Sequence, residues 1–248
     1  WSFTSNTMSS KKTLIILDTN CVLGYRQLTG VLKKEIKPVP DVKLHITDST
    51  HSTVFRPNSD LFMQLLFGKK KEFFDVGIWA NQTKEETHKQ VEQFFRSLKF
   101  NLKFVLYTTN TNKLPLYKDY VKGEEASSMI PMAINRDLNI VFNKYPDYNA
   151  KNTLVVSNFK NLNKKFEDND VIVPKYHPDL SQANMIRDPT LFFVQEYFHQ
   201  CLSLYDTNKV LDFVEAHKQM GYEKYIRTRS GSRDPMSHYN TTIDDLRF

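Results

Sequence analysis

Cysteine, glycine, acidic charge and long apolar runs are all scarce in this sequence, and each shortage excludes something. Only Cys21 and Cys201 occur in 248 residues. Both lie in apolar surroundings, so two buried thiols are expected ahead of a disulfide. No cysteine–histidine cluster has zinc-ligand spacing, and His45 and His51, six apart in a polar loop, are an unremarkable pair among seven histidines. No apolar run approaches the ~18 residues that a membrane-spanning helix needs, so the chain is expected to have no transmembrane segment of its own. With Gly 7 and Pro 10, the composition is that of a globular chain, neither collagen-like nor low-complexity. Acids number 28 against 34 Lys and Arg, a net charge of +6. A basic surface can meet nucleic acid, anionic lipid or acidic protein. The lysines are scattered, however. Their densest run, Lys69-Lys70-Lys71, reads as a solvated loop, so nucleic acid remains a secondary expectation.

Hydrophobic residues make up 40% and aromatics 13%, enough for one substantial core. Three regions are expected: an N-terminal extension over 1–12, a single domain over 13–226 with an insertion at about 24–52, and an extended arm over 227–248. The chain begins at Trp1. Residues 1–13 are rich in Ser and Thr and hold no acid, which is compatible with the segment behind a cleaved mitochondrial presequence. Met8 is the alternative native start.

The stretch LIILDTNCVL, residues 14–23, is apolar up to Asp18 and reads as a strand buried on both faces. Polar residues 24–52 read as a flap, with a hairpin around Lys43–Thr47. VFRPNSDLFMQLLF, residues 54–67, predicts a helix started by Pro57. FFDVGIWA, residues 73–80, is a second buried strand. Residues 83–98 predict an amphipathic helix with Thr83 and Glu86 as a capping box. Residues 103–109 form a third strand and 110–131 are irregular. Residues 136–146 lead into a helix stopped by Pro146. Strands follow at 152–158 and 170–176. Helices follow at 190–205 and 206–218, the second capped by Asp206. Strands alternating with helices imply an α/β fold with a mostly parallel sheet covered on both faces. Ligands then gather at the carboxyl ends of the strands.

The order of LIILDTNCVL, Arg56-Pro57 before the Asp75–Trp79 strand, RDLNIVFNKYP and KNTLVVSN resembles the haloacid-dehalogenase-type phosphatases of the RNA polymerase C-terminal-domain phosphatase class, also called NIF-like. The resemblance covers about residues 13–217. It implies a Rossmann-like fold with a flap after the first strand. It also implies phosphoprotein phosphatase chemistry: a nucleophilic aspartate, an acid/base aspartate two residues on, a phosphate-binding hydroxyl, a lysine, and an acidic pair for Mg²⁺.

Matched position by position, the chain departs from that pattern. Asp18 keeps the nucleophile position. Asn20 stands where the general acid/base would be, and an amide transfers no proton near neutral pH. Ala80 replaces the hydroxyl. Arg136 replaces the lysine, with the charge kept and the reach changed. Ser157-Asn158 replaces the acidic pair. With one carboxylate left of three, Mg²⁺ is expected to be lost and no other cofactor is expected. The six positions read as vestigial, and Asp18 is expected to be structural, paired with Arg136.

The expected function is therefore that of an inactive phosphatase-like protein, acting as a structural or accessory subunit of a larger protein assembly. Degenerate import-receptor relatives of the family in the mitochondrial inner membrane give precedent. A mitochondrial complex is the expected location, with cytoplasm or nucleus as alternatives. Two other readings are kept: a phosphoprotein reader using the old phosphate pocket, and a residual Mg²⁺-dependent phosphatase.

Overall fold

In the computed structural model, the residues described are 12–28, 30, 44–46, 51–95, 101–107, 112–113, 134–159, 163, 165–176, 188–206 and 212–230. The first element, β1 (Thr13–Leu17), is buried along its whole length, as its unbroken apolar run requires. The chain then makes β2 (Gly24–Leu28), β3 (Leu44–Ile46) and β4 (His51–Phe55), an antiparallel sheet in the order β2-β4-β3. This is the flap. The hairpin expected around Lys43–Thr47 is the β3–β4 pair, and β4 takes Val54 and Phe55 from the predicted helix.

Helix α1 is consequently short, Ser59–Gln64, and runs on into a π-helical turn at Leu65–Lys69. Pro57 does not start it. Asn58 caps it from the left-handed region at φ 63°, a conformation Asn tolerates better than most residues. Next come β5 (Phe74–Trp79) and α2 (Lys84–Phe95). The capping box at α2 is present: Glu86 N donates to Thr83 Oγ1 at 3.3 Å, and Thr83 N to Glu86 Oε2 at 3.2 Å.

The third strand of the expected set, β6, pairs only at Val105–Leu106, two residues against the seven expected. A small ladder joins β7 (Asn112–Lys113) to β8 (Ile134–Asn135), and the rest of the stretch expected to be irregular lies outside the described residues. Helix α3 (Asn139–Lys144) ends just ahead of Pro146. The last two strands are β9 (Thr153–Ser157) and β10 (Asp170–Ile172). Pro174 has no N–H, so the β10 ladder closes with Val173 N on Ser157 O at 2.8 Å and does not reach 176.

Helix α4 spans Thr190–Asp206, so Asp206 ends this helix and does not cap the next. Helix α5 (Phe213–Met220) is capped by Asp212, whose carboxylate accepts from Glu215 N at 2.6 Å. Helix α6 (Tyr222–Ser230) continues past Arg227, so the expected boundary at 226/227 falls inside a helix. Its first turns are buried through Tyr222, Tyr225 and Ile226, and Glu223 holds Arg227 at 2.9 Å. Residues 231–248 of the expected arm, and 1–11 of the N-terminal extension, lie outside the described residues.

The central sheet has the order β10-β9-β1-β5-β6, and every neighbouring pair is parallel. The first strand is in the middle, with the later strands laid out to either side. Side chains alternate across it. Ile15 and Leu17 join the core with α1, α2 and α4–α6, while Leu14 and Ile16 join Leu138 and Val141 on the α3 side. The architecture is α/β with both faces covered, and it agrees with the Rossmann-like arrangement and flap that the resemblance implies.

Candidate functional site

Strand register brings the six candidate positions toward one edge. Leu17 pairs with Ile78 on one side and Val156 on the other, so Asp18, Ala80 and Ser157-Asn158 all fall at the carboxyl end of the sheet. This is the crevice around the central strand where α/β sheets hold ligands. Arg136 follows β8 and reaches Asn81, just past the end of β5.

Asp18 and Arg136 are both buried, and Arg136 Nη2 donates to Asp18 Oδ2. Asp18 Oδ1 accepts from Asn20 N at 3.3 Å. Burial pushes the Asp18 carboxyl above the ordinary carboxylate range, against the pull of the Arg136 charge and hydrogen bond and of the Asn20 and Thr19 backbone. Arg136 also donates from Nε to Asn81 Oδ1 at 3.3 Å. Its Nη1 is buried and has no hydrogen-bond partner among the described residues.

The other positions offer no acid. Asn20 Oδ1 and Asn158 Oδ1 are buried, and neither has a partner among the described residues. Ser157 Oγ accepts from Phe159 N at 3.0 Å. Ala80 is fully buried and contributes only backbone, its N–H donating to Leu106 O at 3.0 Å. Among the described residues, no three His, Cys, Asp or Glu side chains converge as a metal site. The donor set here is one carboxylate already held by a guanidinium, plus neutral amide and hydroxyl oxygens. Those residues do not fit Mg²⁺, which favours anionic oxygens and is repelled by a neighbouring cation.

Two parts of the site have roles that the sequence does not display. Thr19 Oγ1 donates to Gln90 Oε1 at 2.8 Å, fixing the turn after β1 to α2. Gln90 is fully buried on α2, which also buries Phe94 and Phe95, and its polarity there is the available signal. The second part is Arg56. Fully buried, it donates to the carbonyls of Cys21 and Val22 at 3.4 Å each and Pro174 at 3.0 Å, to Asp188 Oδ2 at 2.9 Å and to Thr190 Oγ1 at 2.7 Å. The Tyr176 ring lies 5.3 Å from its guanidinium carbon. This clasp shapes the turn that carries Asn20 and Cys21, where Cys21 takes φ 61°. Cys21 and Cys201 are free thiols, and burial raises them to about 11 and about 12. Neither is a thiolate at neutral pH.

The flap is fastened to α2. Arg26 Nη1 meets Glu86 Oε1 at 2.8 Å, and Phe55 stacks on Phe94 with centroids 4.4 Å apart.

No family model matches the sequence. No curated protein matches it. Among solved structures, the chain is similar to the RNA polymerase II CTD phosphatase Fcp1, at 14% identity over 90% of this chain and 67% of that one, with a TM-score of 0.49. It is similar also to fission yeast Fcp1-R271A bound to beryllium fluoride, at 14% identity over 90% of this chain and 68% of that one, with a TM-score of 0.47. The fold assignment rests on the strand order and register given above.

Proposed function

We propose that this chain has the shape of a phosphatase without its chemistry, and serves as a structural or accessory subunit of a larger protein assembly. The observation that carries this reading is the buried Asp18–Arg136 pair. A carboxylate must approach phosphorus in line to act as a nucleophile, and here it is tied to a fixed cation. Asn20 supplies no proton, Ala80 no hydroxyl, and Ser157-Asn158 no anionic ligand. A fold kept without its chemistry is kept for its surfaces, and an assembly in the mitochondrion is the proposed setting.

Two measurements test this. Hydrolysis of p-nitrophenyl phosphate with Mg²⁺ is expected to be the same for the native chain and Asp18→Ala, both at background. Turnover that needs Mg²⁺ and vanishes in Asp18→Ala overturns the loss of chemistry. The protein purified from its source is expected to travel in a discrete large particle. A lone 29.1 kDa monomer overturns the subunit role.

One observation favours a second reading, a phosphoprotein reader. Arg136 Nη1 is a buried donor with no partner among the described residues, and a phosphate oxygen would satisfy it. Capture of phosphopeptides that is lost in Arg136→Met would select this reading over the first.

A further inference from the structure

The amino edge of the sheet, opposite Asp18, carries a row of lysines that follows strand order in space and not in sequence. Register places Lys151 level with Lys12, and Lys12 beside Phe73: Leu14 pairs with Thr153, and Thr13 N donates to Phe73 O at 2.8 Å. Lys70 and Lys71 stand just before Phe73, and Lys103 enters the β6 side with its N–H on Val76 O at 2.8 Å. Four adjacent strands, β9, β1, β5 and β6, are thus each approached through a lysine. Lys12, Lys71, Lys103 and Lys151 are exposed.

Three features give the row its direction and limits. Asp75 lies between Lys12 and Lys103, at 3.6 and 3.5 Å, and its Oδ2 also accepts the Tyr148 hydroxyl at 2.6 Å. That carboxylate holds both ammonium groups in line and is itself only 18% exposed. Glu72 and Asp147 are the other acids along the row. Beyond Lys151 the edge turns acidic at Glu167 and Asp168, next to β10. Strands ~4.8 Å apart make the row ~15 Å long. That is long enough to meet a few successive phosphates of one strand.

We infer that this lysine row binds the phosphate backbone of a nucleic-acid strand. Lysines that follow one another across four strands match a linear polyanion, whereas a membrane surface calls for a broad basic face. Recognition is independent of base sequence. The half-buried aromatics beside the row are already engaged: Lys70 lies over Phe73 at 5.3 Å, and Tyr145 stacks on Phe104 at 5.2 Å with Lys144 over its ring at 5.7 Å. They leave no ready platform for stacked bases. The row is separated from Asp18 by the length of β1, so it stands apart from the proposed loss of phosphatase chemistry.

The test is fluorescence anisotropy of the full chain with a labelled twenty-nucleotide oligouridine at several KCl concentrations. The native chain is expected to bind, with log K falling against log salt by about 0.7 for each phosphate neutralised. Lys12→Gln/Lys71→Gln/Lys103→Gln/Lys151→Gln is expected to weaken binding at least about tenfold and to flatten that slope. A control triple variant of exposed lysines elsewhere, Lys84→Gln/Lys218→Gln/Lys224→Gln, is expected to bind like the native chain. Thermal unfolding of each variant confirms that it is folded. Absence of native binding at low salt, or equal losses in the two variants, overturns the inference. So does a row-dependent affinity for phosphatidylserine vesicles without affinity for the oligonucleotide.

Discussion

Arg136 places Nη2 on Oδ2 of Asp18, joining two side chains that are 118 residues apart in sequence and almost wholly out of water. An arginine in a protein does not shed its proton. The pair therefore stands or falls together. Either partner left alone is a charge, or a cavity with a charge beside it, in the middle of the sheet's working edge.

Arg136→Met is expected to cost about 3–5 kcal/mol, as when one half of a buried ion pair is removed. Asp18→Leu is expected to cost a similar amount. The double variant Asp18→Leu/Arg136→Met should sit much closer to the native chain than the sum of the two, since it removes both charges. Urea unfolding of the four proteins measures the coupling. Simple additivity would mean that the two groups do not depend on each other.

His217 predicts how stability responds to acid. Its Nδ1 lies 2.6 Å from the Tyr197 hydroxyl within the α4–α5 contact. Burial holds it down to about 4, only partly opposed by its contact with the Asp168 backbone. The unfolded chain takes up this proton first, near 6.5. The neutral ring's contribution is full above pH 6.5 and is lost as pH falls toward 4, about 3 kcal/mol at most. Unfolding curves at pH 7 and pH 4.5 should therefore differ less in His217→Gln than in the native chain.

Asp170 has the opposite sign. Burial raises it to about 7, with Asn163 donating to it at 2.8 Å and the Arg136 charge pulling the other way. The folded state holds a proton that the unfolded state has already released. Its stabilising contribution is present below about pH 4 and is lost as pH rises through 7. Asp170→Asn keeps an oxygen for Asn163 and removes the ionisation. It is expected to match the native chain near pH 4 and exceed it at pH 8 by about 4 kcal/mol at most. Parallel denaturation series at the two pH values decide it.

Gly77 lies where the Phe104 ring crosses β5. A Cβ there would stand 2.4 Å from Phe104 Cζ and 2.5 Å from Cε2. The ring cannot swing away freely, because Tyr145 stacks on it. Gly77→Ala is expected to cost about 1–3 kcal/mol through overpacking. Trimming the ring in Gly77→Ala/Phe104→Val should recover part of that loss, read as an upward shift of the melting temperature relative to Gly77→Ala alone.

The central strands were legible because burial on both faces leaves long apolar runs, as in LIIL before Asp18 and TLVV before Ser157. The α2 start was legible because Thr83 and Glu86 are neighbours and need no tertiary partner. Edges were harder. Among the described residues, β6 pairs on one side only, and the extent of such a strand depends on what lies next to it, which propensity does not encode. The α5 start was misplaced because Asp206 and Asp212 are both good caps, and only the length of α4 distinguishes them. At the site, the six positions could be named in order, but Gln90 could not, because its role depends on facing Thr19 across the fold.

The Arg56 clasp carries a consequence for synthesis. The guanidinium is made early, yet its carboxylate, Asp188, comes 132 residues later. Until Asp188 emerges from the ribosome, the turn after the first strand has a cation and no anion to meet it. The nascent amino-terminal half therefore waits, unfinished, for its own distant end, and a stop codon placed ahead of residue 188 would yield a fragment with no settled native state.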